Sequence, residues 1–147
     1  MILTISQIEE FLREVDSMFP IPISQKVDLH EYACKLYNRA DIRTVLENNK
    51  IVAMAAGYTE NVIENRGYIS IAAVLPEARG RGYGKKLIGE IMNIAENKGL
   101  DAVHLYAKSS NKPGVRMLHS LGFTEWHIPD EPRPDDLHLI YYFERQK

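Results

Sequence analysis

Apolar residues recur at helical spacing in four stretches and form short strand-like runs in six others. Ile8, Phe11, Leu12 and Val15 fall three and four residues apart, and Ser6 followed by Glu9 reads as a capping box, so a helix is expected over residues 6–18. Phe19-Pro20-Ile21-Pro22 ends it, because proline pushes the residue before it out of the helical region. Asp28 with Glu31 reads as a second cap, and Leu29, Tyr32, Ala33, Leu36, Tyr37 and Ala40 then line one helical face. Three strands follow: Ile42–Glu47, Ile51–Thr59 after an Asn48-Asn49 hairpin turn, and Gly67–Leu75 after a polar loop, Glu60–Arg66. Pro76 closes the third.

Leu87, Ile88, Ile91, Met92 and Ala95 mark one face of a helix over Gly84–Asn97, with Gly99 at its C-terminal cap. A strand is expected at Ala102–Ala107, a short helix at Asn111–Ser120 stopped by Gly122, and two closing strands at Phe123–Ile128 and Leu137–Glu144. The order ααβββαβαββ describes an α/β (α+β) fold: a central mixed, mostly antiparallel sheet flanked by helices. No repeat or low-complexity tract interrupts it, and the chain of 147 residues is expected to be a single domain, 1–147.

Composition narrows the class. Hydrophobic residues are 45% and charged residues 26% of the chain, as in ordinary globular proteins. The longest run free of charged or strongly polar residues is Ile51–Tyr58, far short of the ~20 a membrane span needs. Cys34 is the single cysteine, which excludes an intrachain disulfide, and its place in an apolar helical stripe predicts a buried thiol. Met1-Ile2-Leu3-Thr4 has no basic leader region. A reducing, cytoplasmic location is the expectation.

The net charge of −2 conceals an asymmetry: Arg79–Lys86 carries four cations and no acid, while the other 139 residues carry 14 basic and 20 acidic ones. Nucleic acid and membrane are therefore not expected partners, but one short segment favours an anion. That segment, Arg79-Gly80-Arg81-Gly82-Tyr83-Gly84-Lys85-Lys86, lies between a strand and a helix and holds three of the nine glycines. Glycines there let the backbone bend and approach a ligand closely. The N–H groups ahead of a helix, with its dipole, then favour phosphate, and pyrophosphate fits best. The P-loop pattern fails, since Arg79 stands where its first glycine belongs and Lys86 where Ser or Thr belongs. The dinucleotide G-x-G-x-x-G pattern fails as well, at Lys85 or Leu87.

Arg79-x-x-Gly82-x-Gly84 resembles the pyrophosphate-binding motif [RQ]-x-x-G-x-[GA] of the GNAT superfamily of N-acetyltransferases. Val74-Leu75-Pro76 is similar to the hydrophobic-x-Pro step that often precedes that loop. Asn111, Gly114, Gly122 and Phe123 match a second family segment, roughly N-x-x-A-x-x-x-Y-x-x-x-G-F. The order of elements also looks like that fold, apart from a missing or very short first strand. The likeness spans about residues 42–144.

The resemblance implies an acetyl-CoA site and transfer of acetyl to an amine of a small molecule or peptide. The pantetheine arm would lie along Ala73-Val74-Leu75, the pyrophosphate on Arg79, Gly80, Arg81, Gly82, Tyr83, Gly84 and Lys85, and Asn111 would touch the arm or simply cap its helix. The strand after helix Gly84–Asn97 would splay away to admit the ligand. A homodimer is compatible with the family. No metal is implied, and the five histidines show no metal-ligand spacing.

Direct acyl transfer needs amine deprotonation, a polarised thioester carbonyl and a protonated leaving thiolate. A backbone N–H near Val74 is the candidate for the carbonyl. The family's usual acid, a tyrosine, is replaced by Leu118. His119 is the next residue, turned by ~100° on the helix, and is the catalytic candidate beside Tyr106 and Tyr141. The usual glutamate base meets apolar Ile71-Ala72-Ala73, which leaves Glu60, Glu64 or a water chain. The loop Pro129–Asp136, with four acids, is expected to border the acceptor side with Phe19 and Ile21 and to favour a cationic amine. Against the enzyme stand a non-catalytic acyl-CoA-binding module and an RNA-binding Arg-Gly loop.

Overall fold

The computed structural model describes residues 3–144, so the first two residues, read above as part of a leaderless start, lie outside it. Four helices, α1 (Ile5–Val15), α2 (Leu29–Arg39), α3 (Tyr83–Asn97) and α4 (Lys112–Ser120), enclose six strands: β1 (Asp41–Glu47), β2 (Lys50–Tyr58), β3 (Arg66–Val74), β4 (Ala102–Ala107), β5 (Thr124–Glu125) and β6 (Leu137–Tyr142). The strands form one sheet in the order β1-β2-β3-β4-β6-β5. Only β3 and β4 run parallel, joined by the α3 crossover. The expected order ααβββαβαββ and the mostly antiparallel mixed sheet are both present.

Each helix forms where its apolar stripe meets the sheet. Ile8, Phe11, Leu12 and Val15 of α1 and Leu29, Ala33 and Leu36 of α2 pack with Met54, Ala56 and Ile71 on one face. Leu87, Ile88, Ile91, Met92 and Ala95 of α3 and Leu118 of α4 pack with Ala53, Ala55, Ile69, Val103, Leu105 and Leu139 on the other. At about 25 cal/mol per Å², a fully buried Leu, Ile or Phe contributes roughly 1.5–3 kcal/mol, so these two faces are what hold the layers together.

Three expectations change. The capping box of α1 is Thr4 with Gln7 rather than Ser6 with Glu9, and the α-helix ends at Val15, followed by a 3₁₀ turn over Asp16–Met18. The pattern admits both boxes, and the earlier one wins because Ile5 already packs against the core. The strand expected over Phe123–Ile128 is only Thr124–Glu125, extended by one bond from Trp126 N–H to His138 O (2.8 Å), after which the chain leaves the sheet edge. Cys34 is half-buried rather than enclosed, with its Sγ 3.6 Å from His30 Nε2, because Ala33 and Leu36 take the inward positions of α2. Among the described residues no helix is long and apolar enough to cross a membrane.

Candidate functional site

Strands β3 and β4 are hydrogen-bonded neighbours over three pairs only: Arg66 with Ala102, Gly67 with Val103 and Tyr68 with His104. Beyond Tyr68 the two strands part, while β3 stays paired to β2 as far as Val74. The β3 edge from Ser70 to Val74 is therefore open over about 13 Å, at ~3.3 Å per residue. Leu75 N–H bonds Val52 O (2.8 Å), and strand alternation then turns Ala73 and Leu75 toward β2. Ala72 and Val74 direct their N–H and C=O groups into the opening. Arg79 Nε, 3.4 Å from the Val74 carbonyl oxygen, marks that side. The unpaired backbone groups of this edge thus belong to Ala72 and Val74, while those of Ala73 and Leu75 are turned to β2.

A bulge re-aims this edge. The register between β2 and β3 steps from Ala56–Ile71 to Gly57–Ile69, which leaves Ser70 as the extra residue. Ile69 packs on the α3 face and Ile71 on the α1–α2 face, so the bulge reverses the inward-outward alternation midway along the strand. Ser70 Oγ meets Tyr32 OH of α2 at 2.6 Å, and burial pushes the Tyr32 phenol up.

The open edge runs into the glycine loop. Gly80 and Gly82 have φ of 82° and 78°, the left-handed region that disfavours a side chain, and no atom lies within 4 Å of where their Cβ would be. Gly82 is the N-cap of α3 and supplies no capping side chain, and the first turn holds no acid. The first helical bond is Lys86 N–H to Gly82 O (3.1 Å), so the N–H groups of Gly82, Tyr83, Gly84 and Lys85 precede the ladder without helical acceptors. Arg79, Lys85 and Lys86 are exposed around them. Arg81 pairs with Glu47 of the β1–β2 hairpin (2.9 Å). Gly84 packs between strand and helix: a Cβ there would lie 3.7 Å from Met117 Cε and 3.8 Å from Val74 Cγ2.

Asn111 caps α4, its Oδ1 accepting the Gly114 N–H at 3.2 Å. Leu118 is buried among the α3-side core residues. His119 is exposed, and its Nδ1 lies 3.0 Å from Phe123 O, in the turn after its own helix. Of the acids considered as bases, Glu60 is held by Lys98 Nζ (2.7 Å) and Glu64 by Arg66, both at the end of β3 remote from the glycine loop.

A polar cluster lies on the sheet face shared with α1 and α2, where the opening begins. His104 Nδ1 is 2.8 Å from His138 Nε2, and His138 Nδ1 is 2.8 Å from Glu131 Oε2. Glu131 Oε1 accepts the Tyr106 hydroxyl and, at 3.3 Å, the Arg133 N–H. Burial raises the Glu131 carboxyl, but the bonds from Tyr106 and His138 outweigh it and hold it below the usual range. Burial, with the nearby His138 and Arg66, lowers His104 to about 4, so it is neutral at pH 7. Tyr106 stacks on His138 at 4.1 Å, and Tyr68 and Trp126 complete an aromatic floor, with centroids 5.0 and 5.5 Å from His104. The only linear sign of this cluster is His104 and Tyr106 alternating with the buried Val103 and Leu105 of one strand.

The loop Pro129–Asp136 is not a free acidic rim. Glu131 turns inward, and Asp136, its side chain 4% exposed, is held by Lys108 Nζ at 2.5 Å and Arg133 at 2.6 Å. Only Asp130 and Asp135 of its acids are exposed. Lys26, exposed on the α1–α2 connection, is pushed down by partial loss of solvation and by Arg133 and Lys108, so that connection does face the loop.

Residues 8–123 match the model of the acetyltransferase (GNAT) family. Among curated proteins, the chain is 42% identical over 60 residues to the mycothiol acetyltransferase of Arthrobacter sp. (strain FB24), covering 41% of this chain and 19% of that protein. It thus spans about a fifth of the length of such relatives. Among solved structures it is similar to YncA of Salmonella typhimurium, a putative acetyltransferase with acetyl-CoA, at TM-score 0.76 and 16% identity over 99% of this chain and 94% of that one. A PaiA N-acetyltransferase of Thermoplasma acidophilum, solved with coenzyme A, gives TM-score 0.73 and 14% identity over 96% of both chains. At these identities the structures speak for the fold.

Proposed function

The chain belongs to the GNAT acetyltransferase family, and from that premise we propose that it is an N-acetyltransferase, moving acetyl from acetyl-CoA directly to a primary amine of a small molecule or peptide. The observation that carries the reading is the open β3 edge leading into the uncapped N-terminus of α3. Acetyl-CoA suits this place chemically: its amide arm needs backbone partners and its pyrophosphate needs N–H donors and positive charge.

In this reading Ala72 and Val74 hold the arm, with Ala73 and Leu75 keeping the strand in register on β2. Gly80, Gly82, Tyr83, Gly84 and Lys85 present N–H groups to the pyrophosphate, with Arg79 and Lys85 supplying charge and Arg81 fixing the loop to Glu47. Asn111 shapes the start of α4 beside them. The acyl donor supplies an activated carbonyl, and the N–H of Ala72 or Val74 is placed to polarise it. The acyl-CoA-binding core is residues 42–144 of one domain, working in a reducing cytoplasm and without nucleic-acid or membrane partners. The buried Leu118 in the usual tyrosine position favours a second reading, a non-catalytic acyl-CoA-binding module.

Two measurements test these readings. Coenzyme A is expected to raise the melting temperature, and amines are expected to release thiol from acetyl-CoA. No shift at millimolar coenzyme A overturns both readings. A shift with no amine-dependent thiol release across an amine panel overturns the first and leaves the second.

A further inference from the structure

Resting on that reading, we propose that His104 is the residue that takes the proton from the acceptor amine, with His138 and Glu131 as positioning residues that keep its Nε2 free to accept. The ionised carboxylate sets the direction of the first hydrogen bond. An ionised Glu131 only accepts, so His138 carries hydrogen on Nδ1, 2.8 Å from Glu131 Oε2. In this proposal the hydrogen between the rings belongs to His104 Nδ1, 2.8 Å from His138 Nε2. The lone pair of His104 is thereby placed on Nε2, the nitrogen turned away from His138.

That nitrogen belongs to a half-buried ring on the last pair shared by β3 and β4, where the opening begins. The groups facing the ring are Tyr68 and Arg66 from β3, Trp126 beyond β5, His138 from β6 and, behind His138, Glu131. Arg66 lies over the Trp126 ring at 4.8 Å, and Arg133 over the Tyr106 ring at 4.7 Å.

The proton balance is as follows. The ammonium N–H bond breaks and its proton goes to His104 Nε2, while the His104 Nδ1 proton passes to His138 Nε2. The charge then rests on His138, beside the Glu131 carboxylate, and His104 remains neutral with its hydrogen moved from Nδ1 to Nε2. The amine nitrogen bonds the thioester carbonyl carbon, the C–S bond breaks with its electron pair going to sulfur, and the second amine proton goes to the thiolate. Return of the first proton to solvent resets the rings. His104, lowered first of all by burial, holds the proton only in passage.

Histidine ¹⁵N spectra of the whole chain test the arrangement without any acceptor. His104 and His138 are both expected with hydrogen on Nδ1 at pH 7.5, and hydrogen on Nε2 of His104 overturns the proposal. Thiol release from acetyl-CoA with benzylamine, spermidine and an alanine-initiated tripeptide tests the chemistry. His104→Gln is expected to lose at least ~10²-fold in kcat/KM, to lose the acid limb of the pH profile, and to keep the melting shift with coenzyme A. Glu131→Gln is expected to move that limb while its KM for acetyl-CoA stays put. An unchanged limb in His104→Gln overturns the proposal and leaves the acetyltransferase reading standing. A wild-type protein with no coenzyme A shift overturns both.

Discussion

Tyr68 and His104 face each other across the last pair that β3 and β4 share, with ring centroids 5.0 Å apart. One rung thus closes the sheet on one side and begins the opening on the other. It also anchors a hydrogen-bond chain to β6 and the loop before it, so the vertex is stiffened by side chains where the backbone ladder stops.

That chain makes stability depend on pH in a defined window. His104 is lowered from 6.5 to about 4 by burial, with His138 and Arg66 adding to it. The unfolded chain therefore binds a proton between those values that the folded chain refuses. The contribution of this group to native stability is full above pH 6.5 and is lost as pH drops toward 4. Melting temperatures over that range should fall less steeply in His104→Gln than in the wild type.

The glycine loop separates strain from ligand contact. Gly82 has φ of 78° with open space where a Cβ would sit, so Gly82→Val meets no neighbour but costs about 1–2 kcal/mol in backbone conformation. Coenzyme A at a hundred times its Kd should stabilise the wild type by about 2.7 kcal/mol. In Gly82→Val, a melting scan should show a modest drop without ligand and most of the coenzyme A shift gone.

Much of this was legible in the chain. The spacing of Leu87, Ile88, Ile91, Met92 and Ala95 names the buried face of α3 residue by residue. Asn48 and Asn49 adopt the positive φ, 51° and 65°, that an Asn-Asn hairpin turn implies. The glycine loop falls between strand and helix as the sequence motif requires. What was not legible depends on register. The Ser70 bulge decides which face each β3 residue takes, and period-two reasoning on Ile71-Ala72-Ala73 has no access to it. Nor does linear spacing bring His104, His138 and Glu131 together, because that takes the pairing of β4 with β6 and the inward turn of a loop. The same inward turn removes Glu131 and Asp136 from the acidic rim that a count of carboxylates predicts.

The start of α4 offers a test of a local rule. A Cβ on Gly114 would lie 2.4 Å from Asn111 Nδ2, so a side chain there must dislodge the cap. Gly114→Ala should lose about 0.5–2 kcal/mol, as a lost N-cap does. Asn111→Ala should cost a similar amount. The double variant should cost little more than either single one, because both remove the same bond. Urea unfolding of the four proteins measures this directly.

The acceptor side carries the last prediction. Lys108 and Arg133 hold the buried Asp136 between them at 2.5 and 2.6 Å, and Lys26 stands near enough for both cations to lower it. Three positive groups stand around the one enclosed carboxylate, so the charge immediately about Asp136 is positive even though the loop as a whole is rich in acids. An amine that also bears a carboxylate should therefore be acetylated in preference to a diamine of equal length, with the preference shrinking as salt rises. Lys26→Gln should reduce that preference without unfolding the chain, since Lys26 is exposed. Asp136→Asn is expected to act differently. It leaves two cations unpaired, and since both keep solvent contact the loss should be about 1–3 kcal/mol, seen as faster proteolysis within residues 129–136. The Asp136 carboxyl is raised by burial but lowered more by Lys108 and Arg133. Its contribution is thus present above the ordinary carboxylate range and fades as pH falls below it. The comparison of kcat/KM for the two amines, at low and high salt in wild type and Lys26→Gln, decides the question. A diamine preference that survives in both proteins would mean that the exposed Asp130 and Asp135 set the field at the entrance.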